Sequence, residues 1–257
     1  MLSLPILTFH SLDDQGNVIS FSPAVFRRAM GKLHENGYRT LTLTDAVMTL
    51  RHSRPLPDHS FVITFDDGYH SVYQQALPVL REYGMCATVF LTVGETATTE
   101  STSRLPALGG RSMLSWGEIR EMAKYGFEFG AHTLTHPDLT RLPTDRVAAE
   151  ICRSKTIVEE QLGSSVTCFA YPYGRYDRRS REIVRQHFGC ACSDKLGLTT
   201  KESDIYALER VDAYYLRSDR LFDVMLTRSF PWYIAARSIP RWIRRAISFR
   251  MSDRPRA

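Results

Sequence analysis

Cysteine is scarce in this chain and poorly placed for chemistry. The 257 residues hold five (Cys86, Cys152, Cys168, Cys190 and Cys192), an odd number with no CxxC pair. That spacing excludes a disulfide framework and a zinc knuckle, and it reads as buried, reduced thiols. Long apolar runs are missing too: none approaches the roughly 20 residues needed to cross a bilayer. The opening stretch MLSLPILTFHSLDD has no basic region and no small-residue cleavage site, so no secretory leader is expected and the chain reads as cytosolic. Internal repeats are absent. So is a basic character of the main body. The net charge is +5, yet residues 217–257 alone carry ten arginines against three aspartates, +7, which leaves −2 for everything before them. A nucleic-acid partner therefore has no support from the body of the protein.

Strand and helix patterns alternate through residues 1–216. PILTF, SFVITF, CATVFLTVG, FEFGAH, VTCFAYPYG and CACSD are short runs rich in β-branched and aromatic residues, as buried strands are. Between them lie amphipathic helical segments. SPAVFRRAMGKLHENGY starts at Ser22-Pro23 and stops at Gly37, and SVYQQALPVLREYG carries Pro78, which predicts a kink or a late start. SWGEIREMAKYG opens with a Ser115/Glu118 capping box. Residues 95–114 are polar and Gly-rich without periodicity, and read as a long loop bordering a cleft. Six or seven βα units favour a parallel barrel over an open sheet, with chemistry expected at the C-terminal ends of the strands.

The polar oddities sit at such ends. SFVITF runs into Asp66-Asp67-Gly68, FEFGA into HTLTHP with His132 and His136, VTCFA into YPYG, and PILTF into His10. Two adjacent aspartates repel, and a cation would offset them. Two imidazoles and one carboxylate make a three-ligand metal site that leaves positions open. The second aspartate is then free to act as a base on metal-bound water. Pro137 after the second histidine, and the lack of a glutamate beside the first, disfavour a metalloprotease helix. A two-histidine, one-carboxylate iron oxygenase shares the ligand types but has no need of the second aspartate.

TFDDG, HTLTHP and FAYPYG, in this order and each after a strand, resemble the first three motifs of the polysaccharide deacetylases, the NodB-homology group or carbohydrate esterase family 4. The resemblance spans about residues 5 to 215. It implies an α/β fold, a distorted (β/α)7–8 barrel of parallel strands, and metal-dependent removal of acetyl groups from N-acetyl-hexosamine units. The substrate would be a cell-envelope or exported glycan, or its precursor. By position it makes Asp66 the general base and Asp67, His132 and His136 the ligands of a divalent cation, zinc first, with cobalt, nickel or manganese as alternatives. Tyr173 would supply an oxyanion-binding N–H and, with Pro172, shape the acetyl pocket.

Two departures stand out. The family's third motif carries an arginine that tethers the base, and Ala170 holds that place here; Arg210, in LERVDAYY, is the candidate to supply the charge from another strand. The family also expects a late histidine as general acid, and none follows His187. His10 fills that role if the chain resembles the permuted branch, the poly-N-acetylglucosamine deacetylases, whose fifth motif lies at the N-terminus. Of the other histidines, His70 is the one nearest to a motif. Residues 217–257 read as a basic amphipathic extension, and residues 231–250 as a segment for peripheral contact with the inner face of a membrane. The competing readings are a glycan-binding protein without turnover, or a deacylase of a non-sugar amide or an O-acetyl ester.

Overall fold

The computed structural model describes residues 3–95, 100 and 103–238. The first strand, β1 (Ile6–Phe9), leads into a two-stranded parallel pair, β2 (Ser11–Leu12) and β3 (Ser20–Phe21). Next come α1 (Pro23–Glu35), β4 (Arg39–Leu41), α2 (Leu43–Arg51) and β5 (Ser60–Phe65). A π-helical turn at Val72–Ala76 runs without a break into α3 (Leu77–Glu82), so Pro78 falls just after a widened turn, the irregularity that accommodates its ring and missing N–H. Then follow β6 (Thr88–Leu91), α4 (Trp116–Ala123), β7 (Glu128–Ala131), α5 (Thr144–Leu162) and β8 (Cys168–Ala170). The chain continues through α6 (Arg178–His187), β9 (Cys190–Leu196), β10 (Leu208–Asp212) and the short α7 (Asp219–Phe222).

Seven parallel strands close into a barrel in the order β1-β10-β9-β8-β7-β6-β5, and the ring is sealed where β1 pairs with β5 from Ile6/Val62 to Phe9/Phe65. On the other side of β5, β4 pairs with its first half and β6 with its second. Every strand pairing in the barrel is parallel, as βα connections require.

The apolar residues form two separate cores. Odd-numbered strand residues such as Leu7, Phe9, Ile63, Phe65, Val89, Phe129 and Phe169 pack outward against the helices. Even-numbered ones, among them Ile6, Val62, Phe90, Cys168, Cys190, Cys192 and Leu208, fill the barrel interior. Each large side chain buried in this way contributes about 1.5–3 kcal/mol. The period of two carries this parity past the strand ends, so His10, Asp66, His132 and Asp212 continue the inward face. Gly130 is inward as well. A Cβ there would lie 2.6 Å from the Phe90 ring and 2.8 Å from the Cys168 carbonyl oxygen, so only glycine lets Phe90 fill the barrel.

Two segments differ from their sequence patterns. The stretch read as an unpatterned loop is, over residues 103–115, a folded excursion with bridges Arg104–Ser115 and Leu108–Arg111, and with Leu105, Met113 and Leu114 buried. The short helix α7 packs against α1. Phe222, Met225, Phe230 and Ile234 join the outer core, and Lys32 and Arg28 pair with Asp223 and Asp219. Of the 231–250 segment expected to contact a membrane, residues 231–238 are described and residues 239–250 lie outside the described residues. Among those described, no helix is long and apolar enough to cross a membrane.

Candidate active site

At the end of β5 the chain turns through two consecutive left-handed residues, Asp67 (φ 76°) and Gly68 (φ 89°). Glycine adopts this conformation freely; aspartate is strained in it. The turn places both carboxylates on the cleft. Thr133 (φ 70°), His136 (φ 57°) and Tyr173 (φ 56°) are left-handed as well. Four strained non-glycine residues therefore surround one cleft, the pattern expected where structure holds side chains against their preferences.

The HTLTH turn is held by a residue that motif reading passed over. Glu150 on α5 is buried; one carboxylate oxygen accepts from the Leu134 and Thr135 amides at 2.9 and 3.0 Å, and the other from the Thr135 hydroxyl at 2.8 Å. The signal for it was available: Glu150 lies on the stripe formed by Val147, Ile151, Ser154 and Val158, where a lone carboxylate has no reason to sit unless it is bonded. The His132 Nδ1–H donates to the Ala170 carbonyl at 2.7 Å, which leaves the Nε2 lone pair facing the cleft.

Asp67 Oδ1 lies 3.4 Å from His132 Nε2 and 3.3 Å from His136 Nε2. It is buried without a hydrogen-bond partner, and one ligand atom from each of the three residues falls within 4.8 Å of the others. An orphaned carboxylate oxygen facing two imidazoles fits a divalent cation. The nitrogen and oxygen donors suit zinc and its first-row neighbours better than magnesium or calcium. Burial, and then the neighbouring His132 charge, lower the His136 pKa to about 4, so His136 is neutral and its lone pair available. Burial works against a charge on His132 too, but Asp67 and Asp66 outweigh it and raise its pKa.

Asp66 faces a different partner. Arg210, at the inward face of β10, donates from both terminal nitrogens to its two oxygens at 2.8 and 2.7 Å. The guanidinium is itself fixed by the Ser193 carbonyl at 3.0 Å and the Thr64 hydroxyl at 3.3 Å. Burial alone would raise the Asp66 pKa, yet the Arg210 charge and its bonds hold it well below the ordinary carboxylate range. His10 Nε2 stands 4.0 Å from Asp66 Oδ2, on a half-buried ring.

Tyr173 closes the opposite wall. Its ring meets His136 edge-on at 4.7 Å and is 58% exposed. The next residue, Gly174 (φ +62°), presses on β9, where a Cβ would lie 2.2 Å from the Asp194 backbone nitrogen. The cleft of about 520 Å³ thus holds His10, Asp66, Asp67, His132, His136 and Tyr173 together, with Arg210 behind Asp66. Asp194 and Asp212 also line it. His70 points elsewhere, to Glu118 at 3.2 Å.

Known proteins resemble this chain in sequence and in fold. The polysaccharide deacetylase family model matches residues 53–188. A Bacillus subtilis protein named as a polysaccharide deacetylase is 32% identical over 209 residues, 81% of this chain and 70% of that protein. The poly-beta-1,6-N-acetyl-D-glucosamine N-deacetylase of Staphylococcus aureus is 24% identical over 221 residues, 81% of this chain and 71% of that one. A solved Streptococcus pyogenes deacetylase covers 88% of this chain and 99% of its own, with TM-score 0.77 at 24% identity, a likeness of fold. Sequence, barrel and cleft agree: the chain belongs to the polysaccharide deacetylase family.

Proposed function

We propose that this protein is a metal-dependent N-deacetylase of an amino-sugar polysaccharide, of the poly-N-acetylglucosamine kind that its Staphylococcus aureus relative is named for. The observation that carries the reading is the division of labour between the adjacent aspartates. Asp66 is forked by Arg210, while Asp67 joins His132 and His136 in a set of metal-ligand atoms.

Asp67, His132 and His136 would hold the cation, which when bound polarises the acyl carbonyl and brings the pKa of water to about 7. Asp66, kept ionised by Arg210, accepts the proton of the attacking water. With so low a pKa it is a weak base, matched only to a water already made acidic. The Tyr173 N–H donates to the oxyanion as the carbonyl becomes tetrahedral, and such fixed donors contribute on the order of 3 kcal/mol. His10, 4.0 Å from Asp66 in the same cleft, gives its proton to the leaving nitrogen as the C–N bond breaks. The products are acetate and the free amine.

The test is acetate release from N-acetylglucosamine oligosaccharides by metal-loaded protein, beside Asp66→Asn and His10→Ala. Each variant is expected to lose at least two orders of magnitude in kcat, the usual contribution of a positioned acid or base, roughly 10²–10⁴-fold. Full activity in both would overturn the assignment. The Arg210–Asp66 pair supports turnover over a glycan-binding protein without it, because a charge stands in for the arginine missing at Ala170.

A further inference from the structure

The end of the barrel remote from the cleft carries a cavity of its own, about 440 Å³ in volume. Pro5, just before β1, lines it with His59 and Ser60, where β5 begins. His10 and Asp66 follow the far ends of these same two strands. The six residues of β5 span about 20 Å at ~3.3 Å each. Arg228 and Phe230 form another part of the wall, and here the chain enters a helix whose described residues are 230–238.

One face of this helix is partnered and another is bare. Phe230 and Ile234 are buried in the outer core, and the Tyr233 hydroxyl donates to the Tyr215 carbonyl at 2.6 Å. Trp232, Ala235 and Ala236, at the i, i+3, i+4 spacing of a shared face, are exposed. Trp232 is 79% exposed, more than any other large apolar side chain among the described residues. A lone exposed ring needs no explanation; its charge setting does. From Val224 to Ser252 the sequence holds six arginines and neither an acid nor a lysine. Arg228 and Arg237 belong to the described part, and both are exposed. Tryptophan among arginines without acids is the composition of a segment at the boundary of an anionic bilayer. The ring enters the headgroup layer and the guanidinium groups meet lipid phosphates. An acid-free run has no such purpose if Trp232 merely fills a pocket on a neutral partner.

We propose that Trp232 and Arg228 seat this end of the barrel on an anionic bilayer surface, so that the catalytic cleft opens away from the membrane. The inference goes beyond the deacetylase reading and stands without it. One ring holds a protein only weakly, and the arginines that follow residue 238 in sequence add the second attraction that stable attachment requires. A glycan would then reach the cleft from solvent and not from a lipid carrier in the same bilayer.

Fluorescence quenching by brominated lipid tests both parts. Trp116 is buried and Trp232 exposed, so a Trp242→Phe protein reports on Trp232. The vesicles are equimolar phosphatidylglycerol and phosphatidylcholine, with phosphatidylcholine alone as the control. Quenching is expected on the anionic vesicles only. For the cleft end the reporter is Val18→Trp, in a Trp232→Phe/Trp242→Phe background that keeps aromatic rings at both places. Val18 is 75% exposed and adjoins Ile19, which lines the cleft; it is expected to escape quenching. In the otherwise wild-type chain, Trp232→Ala should weaken vesicle partition about tenfold, as one buried ring should. Arg228→Gln should weaken it about fivefold, as one charge near the surface should. Thermal unfolding should not change, because both side chains are exposed. No quenching of Trp232, or equal binding to phosphatidylcholine alone, overturns the membrane surface. So does dimerisation without lipid that Trp232→Ala abolishes. Quenching at Val18→Trp as strong as at Trp232 overturns the orientation.

Discussion

Arg210 and Asp66 form an ion pair that is almost fully buried, 5% exposed on each side chain. Such a pair adds little against an apolar alternative, but removing one partner strands the other charge at a cost of about 3–5 kcal/mol. Arg210→Gln is therefore expected to lower stability by about that much at neutral pH. The pH dependence follows from the sign of the shift. Asp66 has a lowered pKa when folded, so its contribution is complete above its unfolded value of about 4 and is lost as the pH falls below it. Urea unfolding across a pH series should show the gap between wild type and Arg210→Gln narrowing in acid. A gap that stays constant would mean another group is coupled to Arg210. Metal binding is lost in the same direction, since protons and the cation compete for the histidine lone pairs. Bound cobalt or zinc should dissociate as the pH falls through the titration of His132 and His136, read by equilibrium dialysis. Chelation should abolish acetate release and a divalent cation should restore it.

Helices and turns do the positioning. The HTLTH turn is not held by its own residues alone; its amides are tied to Glu150 on α5, from a helix face that otherwise packs apolar groups. Glu150→Ala leaves the buried Leu134 amide without an acceptor, which costs roughly 1–3 kcal/mol, and gives up the Thr135 amide and hydroxyl to water. It also frees the ligand histidines, so metal affinity is expected to fall by about 10–100-fold, the usual effect of losing a supporting hydrogen bond. Competition with a chelating dye checks this; unchanged affinity would show that the turn holds itself. The YPYG turn has a harder limit. Gly174 meets the Asp194 backbone so closely that Gly174→Ala must displace β9 or the turn, and a left-handed φ adds to the strain. Thermal unfolding should show a clear drop, with Tyr173 no longer packed on His136. The sequence marked both turns through their histidines, proline and glycine. It did not mark the hairpin-like course of residues 103–115, because nothing local encodes the contact of Leu105 with the turn at Gly68.

Across the whole molecule, charge and chemistry are segregated. The barrel rim gathers the reactive groups, while the surplus arginines lie beyond residue 216. If the tail acts on membranes, the full chain should sediment with anionic vesicles, less so as salt shortens the Debye length to about 8 Å at physiological strength. Removal of residues 239–257 should abolish the effect, and equal sedimentation with and without them would end the idea. Composition and order were enough to read the parallel α/β class and the motif residues Asp66, Asp67, His132 and His136, because strand period and strand-end chemistry are local properties. Sequence could name Arg210 as the candidate to replace the arginine missing at Ala170, but not what carries it to Asp66. The two lie 144 residues apart and meet because closure of β1 on β5 and β10 brings inward-facing residues from distant strands to a common rim. A linear pattern names the groups that can react. Their distances, their shared burial and the pairing that fixes their charge come from the closed barrel, where contact depends on strand order and parity instead of separation along the chain.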